Sequence, residues 1–233
     1  MKGSVRVLVF DFDGVIVDSE GAKRAAWYEL LKGARDPNGF SWENTDHDAL
    51  ITEAYRVWIN GTAKGSRFEM IAHMMDAVKY PKTKEAIEWY AEEFNRLVQE
   101  AILKAGVLPE TTSALEALFA RFPLYLNSGT PEAALLQSAR ALHIEHFFKA
   151  ILGKTEERKE KSKVQNIMRA MTCENASPAE TVFVGDAVSD YKAALEAGCL
   201  FIRYTAFDPK REEWREGNPM QVTSLAQLVS RFS

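Results

Sequence analysis

Two aspartates, Asp11 and Asp13, follow directly on the run Val5-Arg6-Val7-Leu8-Val9-Phe10, with Gly14 behind them. The run is short, mostly apolar and rich in β-branched residues, and reads as a buried parallel strand. Acids at the carboxyl end of such a strand lie where open α/β sheets bind their ligands. With one residue between them, the two carboxylates leave a shared turn in different directions. One could attack a substrate or bind a metal while the other moves a proton. Asp and Gly also favour turns for conformational reasons alone, so the pair gains its chemical meaning from three stretches downstream. These are Ser128-Gly129-Thr130, a lysine-rich stretch over residues 154–163, and Gly185-Asp186 with Asp190. Each follows a predicted strand or lies at the start of a predicted helix.

Bringing four such stations together requires a scaffold, and the chain supplies one in two parts. Apolar periodicity predicts helices over 20–32, 46–59, 67–78 and 82–105. The breaks between them are Asp36-Pro37-Asn38-Gly39, Asn60-Gly61 and Tyr80-Pro81, and Gly106 suits a left-handed stop. This block is far longer than the single helix of a βαβ crossover. It predicts an inserted helical domain over 19–105, a cap, with the α/β core formed by 1–18 and 106–233. From residue 107 the pattern alternates. Helices are expected over 112–121, 131–142, 162–171, 189–197 and 224–232, and strands over 124–127, 150–152, 181–184 and 200–203. Ser113 and Glu116 are spaced for a capping box, and Pro131 for a first helical position. Such alternation predicts an α/β fold, a Rossmann-like parallel sheet covered by helices on both faces.

Composition narrows the partners. The chain has 233 residues, 46% hydrophobic and 27% charged, with a net charge of −4. That balance offers no general attraction to nucleic acid or to an anionic membrane. An anionic substrate therefore needs a local cluster of cations or a metal. The N-terminus lacks the basic and apolar pattern of a signal peptide, and no apolar run is long enough to span a bilayer. Cys173 and Cys199 have no metal-type spacing and cannot make a disulfide framework, so a reducing cytoplasm is the expected setting. His47, His73, His143 and His146 have no spacing that suggests a metal site or a triad. The expected molecule is a monomer or homodimer that binds neither nucleic acid nor membrane.

The stretches D-F-D-G-V-x-x-D-S at 11–19 and V-G-D-x-x-x-D at 184–190, with the serine and lysine stations between them, resemble the four motifs of the haloacid dehalogenase superfamily. Its members are mostly phosphatases. The resemblance runs from Val5 to about Arg203, and the helical block resembles the C1-type cap of the phosphoglycolate phosphatase and β-phosphoglucomutase branch. It implies that Asp11 is a nucleophile forming an aspartyl-phosphate and that Asp13 is the general acid and base. It implies a Mg²⁺ ion held by Asp11, the backbone carbonyl of Asp13, Asp186 and Asp190, the last directly or through water. Asp190 is equally placed to cap the helix that follows. Ser128 would bind a phosphoryl oxygen with the N–H groups of Gly129 and Thr130, beside Gly14. A lysine would neutralise charge. Among Lys154, Lys159, Lys161 and Lys163, the sequence Ser162-Lys163-Val164 ahead of an amphipathic helix favours Lys163, then Lys161; the K-P-x-P form of this motif is absent.

The resemblance thus implies a phosphatase acting on a small phosphorylated metabolite, a sugar phosphate or a phosphoglycolate-like acid. Specificity would reside in the cap. Its basic loop offers Lys64, Ser66 and Arg67 for the far end of an anionic substrate, although these could equally be solvated or cap a helix. Trp27, Trp58 and Trp89 suit a core better than a substrate platform. A phosphosugar mutase would use the same aspartyl-phosphate and return the phosphoryl group to another hydroxyl. A hydrolytic dehalogenase calls for neither Asp13 nor the Asp186/Asp190 pair, and phosphonate cleavage would need a Schiff-base lysine in the cap. Outside enzymes, the alternative is a non-catalytic protein binding a phosphate ligand on the same scaffold. A receiver domain, which also gathers acids at strand ends, is opposed by the long helical block.

Overall fold

The computed structural model describes residues 5–59, 67–157, 162–207 and 217–232, with backbone only for 56–59. Its chain forms two compact units, Met1–Glu20 with Ala105–Ser233, and Gly21–Lys104.

The first unit is built on a six-stranded parallel sheet in the order β3-β2-β1-β4-β5-β6. The strands are β1 (Val7–Asp11), β2 (Leu124–Pro131), β3 (Ala150–Lys154), β4 (Thr181–Gly185), β5 (Leu200–Tyr204) and β6 (Met220–Val222). All five residues of β1 and of β4 are buried, as a sheet covered on both faces requires. On one face Val7 and Val9 pack with Tyr125, Phe183, and Ile167, Ala170, Ala193 and Ala194. The helical residues of this cluster belong to α7 (Ser162–Glu174) and α8 (Val188–Ala197). Leu8 and Phe10, which alternate to the other face, are also fully buried. Each such side chain contributes roughly 1.5–3 kcal/mol on removal from water. Among the described residues, the remaining α-helices of this unit are α5 (Pro109–Phe119), α6 (Glu132–Ala141) and α9 (Ala226–Arg231). Gly198 closes α8 in the left-handed conformation, at φ 74°.

The second unit is helical: α1 (Ser19–Gly33), α2 (His47–Ile59), α3 (Arg67–Ala77) and α4 (Lys84–Ala105), of which the outermost residues of α1 and α4 belong to the first unit. Trp27, Leu30, Trp42, Ile51, Ile71, Met74, Tyr90 and Phe94 form its core. Trp27 stacks on Phe94 with ring centroids 3.9 Å apart. Trp89 is partly buried against the same cluster. The predicted turn at 36–39 is tied by the buried Asp36, which accepts hydrogen bonds from the N–H groups of Asn38 and Phe40 and from the Tyr80 hydroxyl. No helix among the described residues is long and apolar enough to cross a membrane.

Three local expectations are corrected. The helix expected over 112–121 begins a turn earlier, with Leu108 as its N-cap and Pro109 at the first position. Proline's fixed φ is ready for that place. Ser113 therefore sits inside the helix and donates to the Pro109 carbonyl, so there is no capping box with Glu116. Strand β2 continues through Ser128-Gly129-Thr130 to Pro131, which is the N-cap of α6 and not its first residue. Strand β6 was not anticipated, because three residues carry too little alternation to read.

Candidate active site

Asp11 is the last residue of β1 and is only 2% exposed. Its Oδ1 accepts a hydrogen bond from the Phe12 N–H at 2.9 Å. The Lys163 ammonium, on the first turn of α7, donates to Asp11 Oδ2 at 2.9 Å and to Asp190 Oδ1 at 2.5 Å. Of the four lysines in the window, Lys163 is the one that the described residues bring to Asp11. Lys154 is exposed at the end of β3, and Lys159 and Lys161 lie outside the described residues.

Asp190 is fully buried near the start of α8. Its Oδ2 accepts from the backbone N–H groups of Asp186, at 3.2 Å, and Ala187, at 3.1 Å. One oxygen therefore ties the helix start while the other faces Lys163. Capping, which the sequence left open, is realised together with a contact to the lysine.

Asp11, Asp186 and Asp190 each offer an oxygen within 4.8 Å of the other two, a spacing in which they could hold a metal ion. Three carboxylates make a hard-oxygen donor set suited to a divalent cation such as Mg²⁺. Gly14 shapes this pocket. It sits at φ +75°, and a Cβ built there would lie 2.2 Å from Asp186 Oδ2. Gly14→Ala is expected to displace Asp186, weaken divalent-cation binding at least tenfold and cost about 1–2 kcal/mol of stability. Calorimetric titration with Mg²⁺ and thermal melts check this; unchanged affinity would show that Asp186 takes no part in binding.

The electrostatics follow from crowding. Burial, then the charge of Asp190, pushes the Asp11 carboxyl well above the ordinary carboxylate range, and Lys163 only partly offsets this. For Lys163, burial opposes the charge, but Asp11 and Asp190 outweigh it and hold the ammonium protonated. Several acids around one lysine leave the cluster short of positive charge.

Asp13 lies in the tight turn after β1, where Gly14 N–H donates to the Val17 carbonyl at 2.9 Å. Ser128 Oγ donates to Asp13 Oδ2 at 3.3 Å and accepts from Thr130 N–H at 3.1 Å. Ser128 is buried and Gly129 exposed. Gly129 and Thr130 thus continue the strand instead of opening a helix, and the Thr130 N–H is directed at Ser128. In the helical unit, Arg67 is the first residue of α3 and holds its guanidinium 4.6 Å from the centroid of the Phe68 ring. Lys64 and Ser66 lie outside the described residues, as does the Trp58 side chain.

Sequence reasoning overlooked Asn127 and Asn166. Both are fully buried. Asn127 Nδ2 donates to the backbone carbonyl of Lys163 at 3.0 Å, and Asn166 Nδ2 donates to Asn127 Oδ1 at 3.0 Å. The available signal was an asparagine inside an apolar strand next to a candidate phosphate ligand.

The phosphoglycolate phosphatase of Escherichia coli (strain K12) is 27% identical over 208 residues, spanning 86% of this chain and 81% of that protein. Among solved structures, a predicted phosphoglycolate phosphatase from Haemophilus somnus 129PT matches with a TM-score of 0.75 and 19% identity over the whole of both chains. A HAD-hydrolase from Bacillus subtilis bound to magnesium matches with a TM-score of 0.72 and 17% identity, covering 99% of this chain and 100% of that one. At such identity the two structures speak for the fold. The family model for haloacid dehalogenase-like hydrolases matches residues 5–198. That span contains all four polar stations in order, from the strand that ends at Asp11 to the helix that Asp190 caps, and the chain belongs to the haloacid dehalogenase-like hydrolase family.

Proposed function

We propose that this hydrolase is a Mg²⁺-dependent phosphatase that cleaves a small phosphorylated metabolite, a sugar phosphate or phosphoglycolate-like acid, through an aspartyl-phosphate. The observation that carries this is the sorting of the acids: Asp11 and Asp190 share the Lys163 ammonium, while Asp13 faces the neutral hydroxyl of Ser128. The one ammonium is thus placed on the carboxyl at the strand end, and a second acid stands nearby without that partner. The likeness to the phosphoglycolate phosphatase of Escherichia coli supports the choice of substrate class.

In this mechanism Asp11 Oδ attacks phosphorus and the bond to the substrate oxygen breaks. Asp13 gives its proton to that leaving oxygen. Asp13 then takes a proton from water, whose oxygen attacks the aspartyl-phosphate, releasing inorganic phosphate and restoring Asp11. Ser128, with the N–H groups of Gly129 and Thr130, orients the phosphoryl oxygens once Thr130 turns from Ser128, and Lys163 balances their charge. A bound Mg²⁺ supplies further neutralisation, so that an anionic nucleophile and a phosphate dianion can approach. We assign it to Asp11, the Asp13 carbonyl, Asp186 and Asp190. To the helical unit we assign choice of the leaving group, with Lys64 and Arg67 as anion contacts.

The test is phosphate release from para-nitrophenyl phosphate, with Mg²⁺ and with chelator, for the wild type and Asp11→Ala. Metal-dependent release by the wild type alone is expected. Metal-dependent release by Asp11→Ala would refute the nucleophile. A phosphosugar converted to its isomer without accumulation of inorganic phosphate would point to the mutase instead.

A further inference from the structure

We propose that Asn127 and Asn166 form an amide clamp that positions Lys163; the proposal rests on the phosphatase assignment of that lysine. A buried primary amide is costlier than an apolar side chain of the same size unless its hydrogen bonds are made. Here the amide N–H groups make theirs, to backbone carbonyls of the parts that carry the site and from one amide to the other, while the buried Asn166 Oδ1 has no partner among the described residues. Asn166 Nδ2 donates to the Leu152 carbonyl and to Asn127 Oδ1, both at 3.0 Å, and reaches the Gly153 carbonyl at 3.3 Å. Asn127 passes the link on to the Lys163 carbonyl. The clamp thus joins the end of β3, the middle of β2 and the first turn of α7.

Its location gives it leverage. Asn127 is paired in register with Asp11 on the neighbouring strand and is followed in the chain by Ser128. Any shift of Lys163 relative to Asn127 is therefore a shift relative to both the nucleophile and the phosphate contact. Gly153 completes the arrangement. Its N–H donates to Glu132 Oε2 at 3.2 Å, and a Cβ there would come 2.4 Å from the Glu132 Cα. The β3 end is thereby pressed against the segment that follows Ser128, and Asn166 anchors to that same end. Asn127 and Asn166 touch no reacting atom; they act through Lys163 as positioning residues.

Asn127→Leu and Asn166→Leu remove the clamp with little change in volume, and Asn127→Ser is the milder variant if either fails to fold. With para-nitrophenyl phosphate and Mg²⁺, kcat is expected to fall about a hundredfold, the cost of a roughly 1 Å misplacement, with KM little changed. Combined with Lys163→Met, Asn127→Ser should add no further loss, because the positioned group is gone. An independent readout is reductive methylation followed by mass spectrometry. In the wild type, Lys163 should label far more slowly than Lys84, whose side chain is 81% exposed. In the clamp variants the Lys163-to-Lys84 ratio should rise severalfold while other buried sites stay protected. An unchanged ratio, or losses that multiply in the double variant, would overturn the proposal. If the wild type releases no phosphate from any phosphomonoester, the phosphatase assignment fails, and the labelling ratio alone still decides whether the clamp holds Lys163.

Discussion

Replacing Asp11 by asparagine is expected to abolish turnover and, in the same protein, to raise the thermal stability of the metal-free form. An amide oxygen is a poor nucleophile for phosphorus, so the loss should exceed about 10⁵-fold, the scale on which removal of a covalent nucleophile acts. The stability gain follows from burial. The Asp11 carboxyl is held well above its ordinary value, first by desolvation and then by Asp190. A folded-state pKa above the unfolded one means that the folded protein binds the proton more tightly. The resulting stabilisation is complete below the unfolded value and is lost as pH rises through the folded one. At neutral pH an ionised Asp11 therefore costs stability, and asparagine, which does not ionise, avoids that cost. Lys163 keeps Asp190 as its partner. A relief of about 1 kcal/mol corresponds to about 2–4 °C in a chain of this size. Melts in chelator from pH 4 to pH 8 should show the gap opening as pH rises. A lower melting temperature for Asp11→Asn at pH 7 would show that the Lys163 ion pair outweighs the crowding.

The second large effect is expected of Lys163→Met, which keeps the aliphatic stem and removes the charge. Activity should fall about 10³-fold, as when a charge-stabilising donor is lost from a preorganised site. Stability should fall as well, because Asp11 and the fully buried Asp190 are left without their cation. Breaking a buried pair from one side costs about 3–5 kcal/mol, and the partial exposure of Lys163, 21% for its side chain, lowers this to roughly 2–3 kcal/mol. Mg²⁺ should restore part of the lost melting temperature by supplying positive charge to the same acids. Lys154→Met, at the exposed end of β3, is the control and should alter neither quantity. Wild-type activity in Lys163→Met would remove the lysine from the mechanism.

Strands β1 to β5 and the acids that follow β1 and β4 were legible in the sequence for one reason. A buried parallel strand reads as a nearly continuous apolar run, and the two acid stations come where such a run stops, as at Phe10-Asp11 and Val184-Gly185-Asp186. The helical block was legible because its apolar period is helical for some eighty residues, with turn clusters between. Lys163 was harder. Adjacent charged residues look alike until the start of a helix fixes which one points inward, and Ser162 is that start. Asp190 was read as either ligand or cap because sequence does not reveal that a carboxylate's two oxygens can take different partners. Asn127 stayed hidden because its partners, Lys163 and Asn166, are distant in sequence; only the packing of α7 on the sheet brings them together.

The sheet order has a consequence for synthesis. Strand β1 is the first to leave the ribosome, yet in the finished sheet it lies inside, with Leu8 paired to Leu124 on one side and to Val182 on the other. The most apolar strand must therefore wait through the whole helical unit for its first neighbour and through most of the remaining chain for its second. Helical contacts are local and close quickly, whereas a parallel pairing at that separation is slow. Throughout that interval the nascent chain carries an unpaired Val-Leu-Val-Phe edge, open to association with other chains.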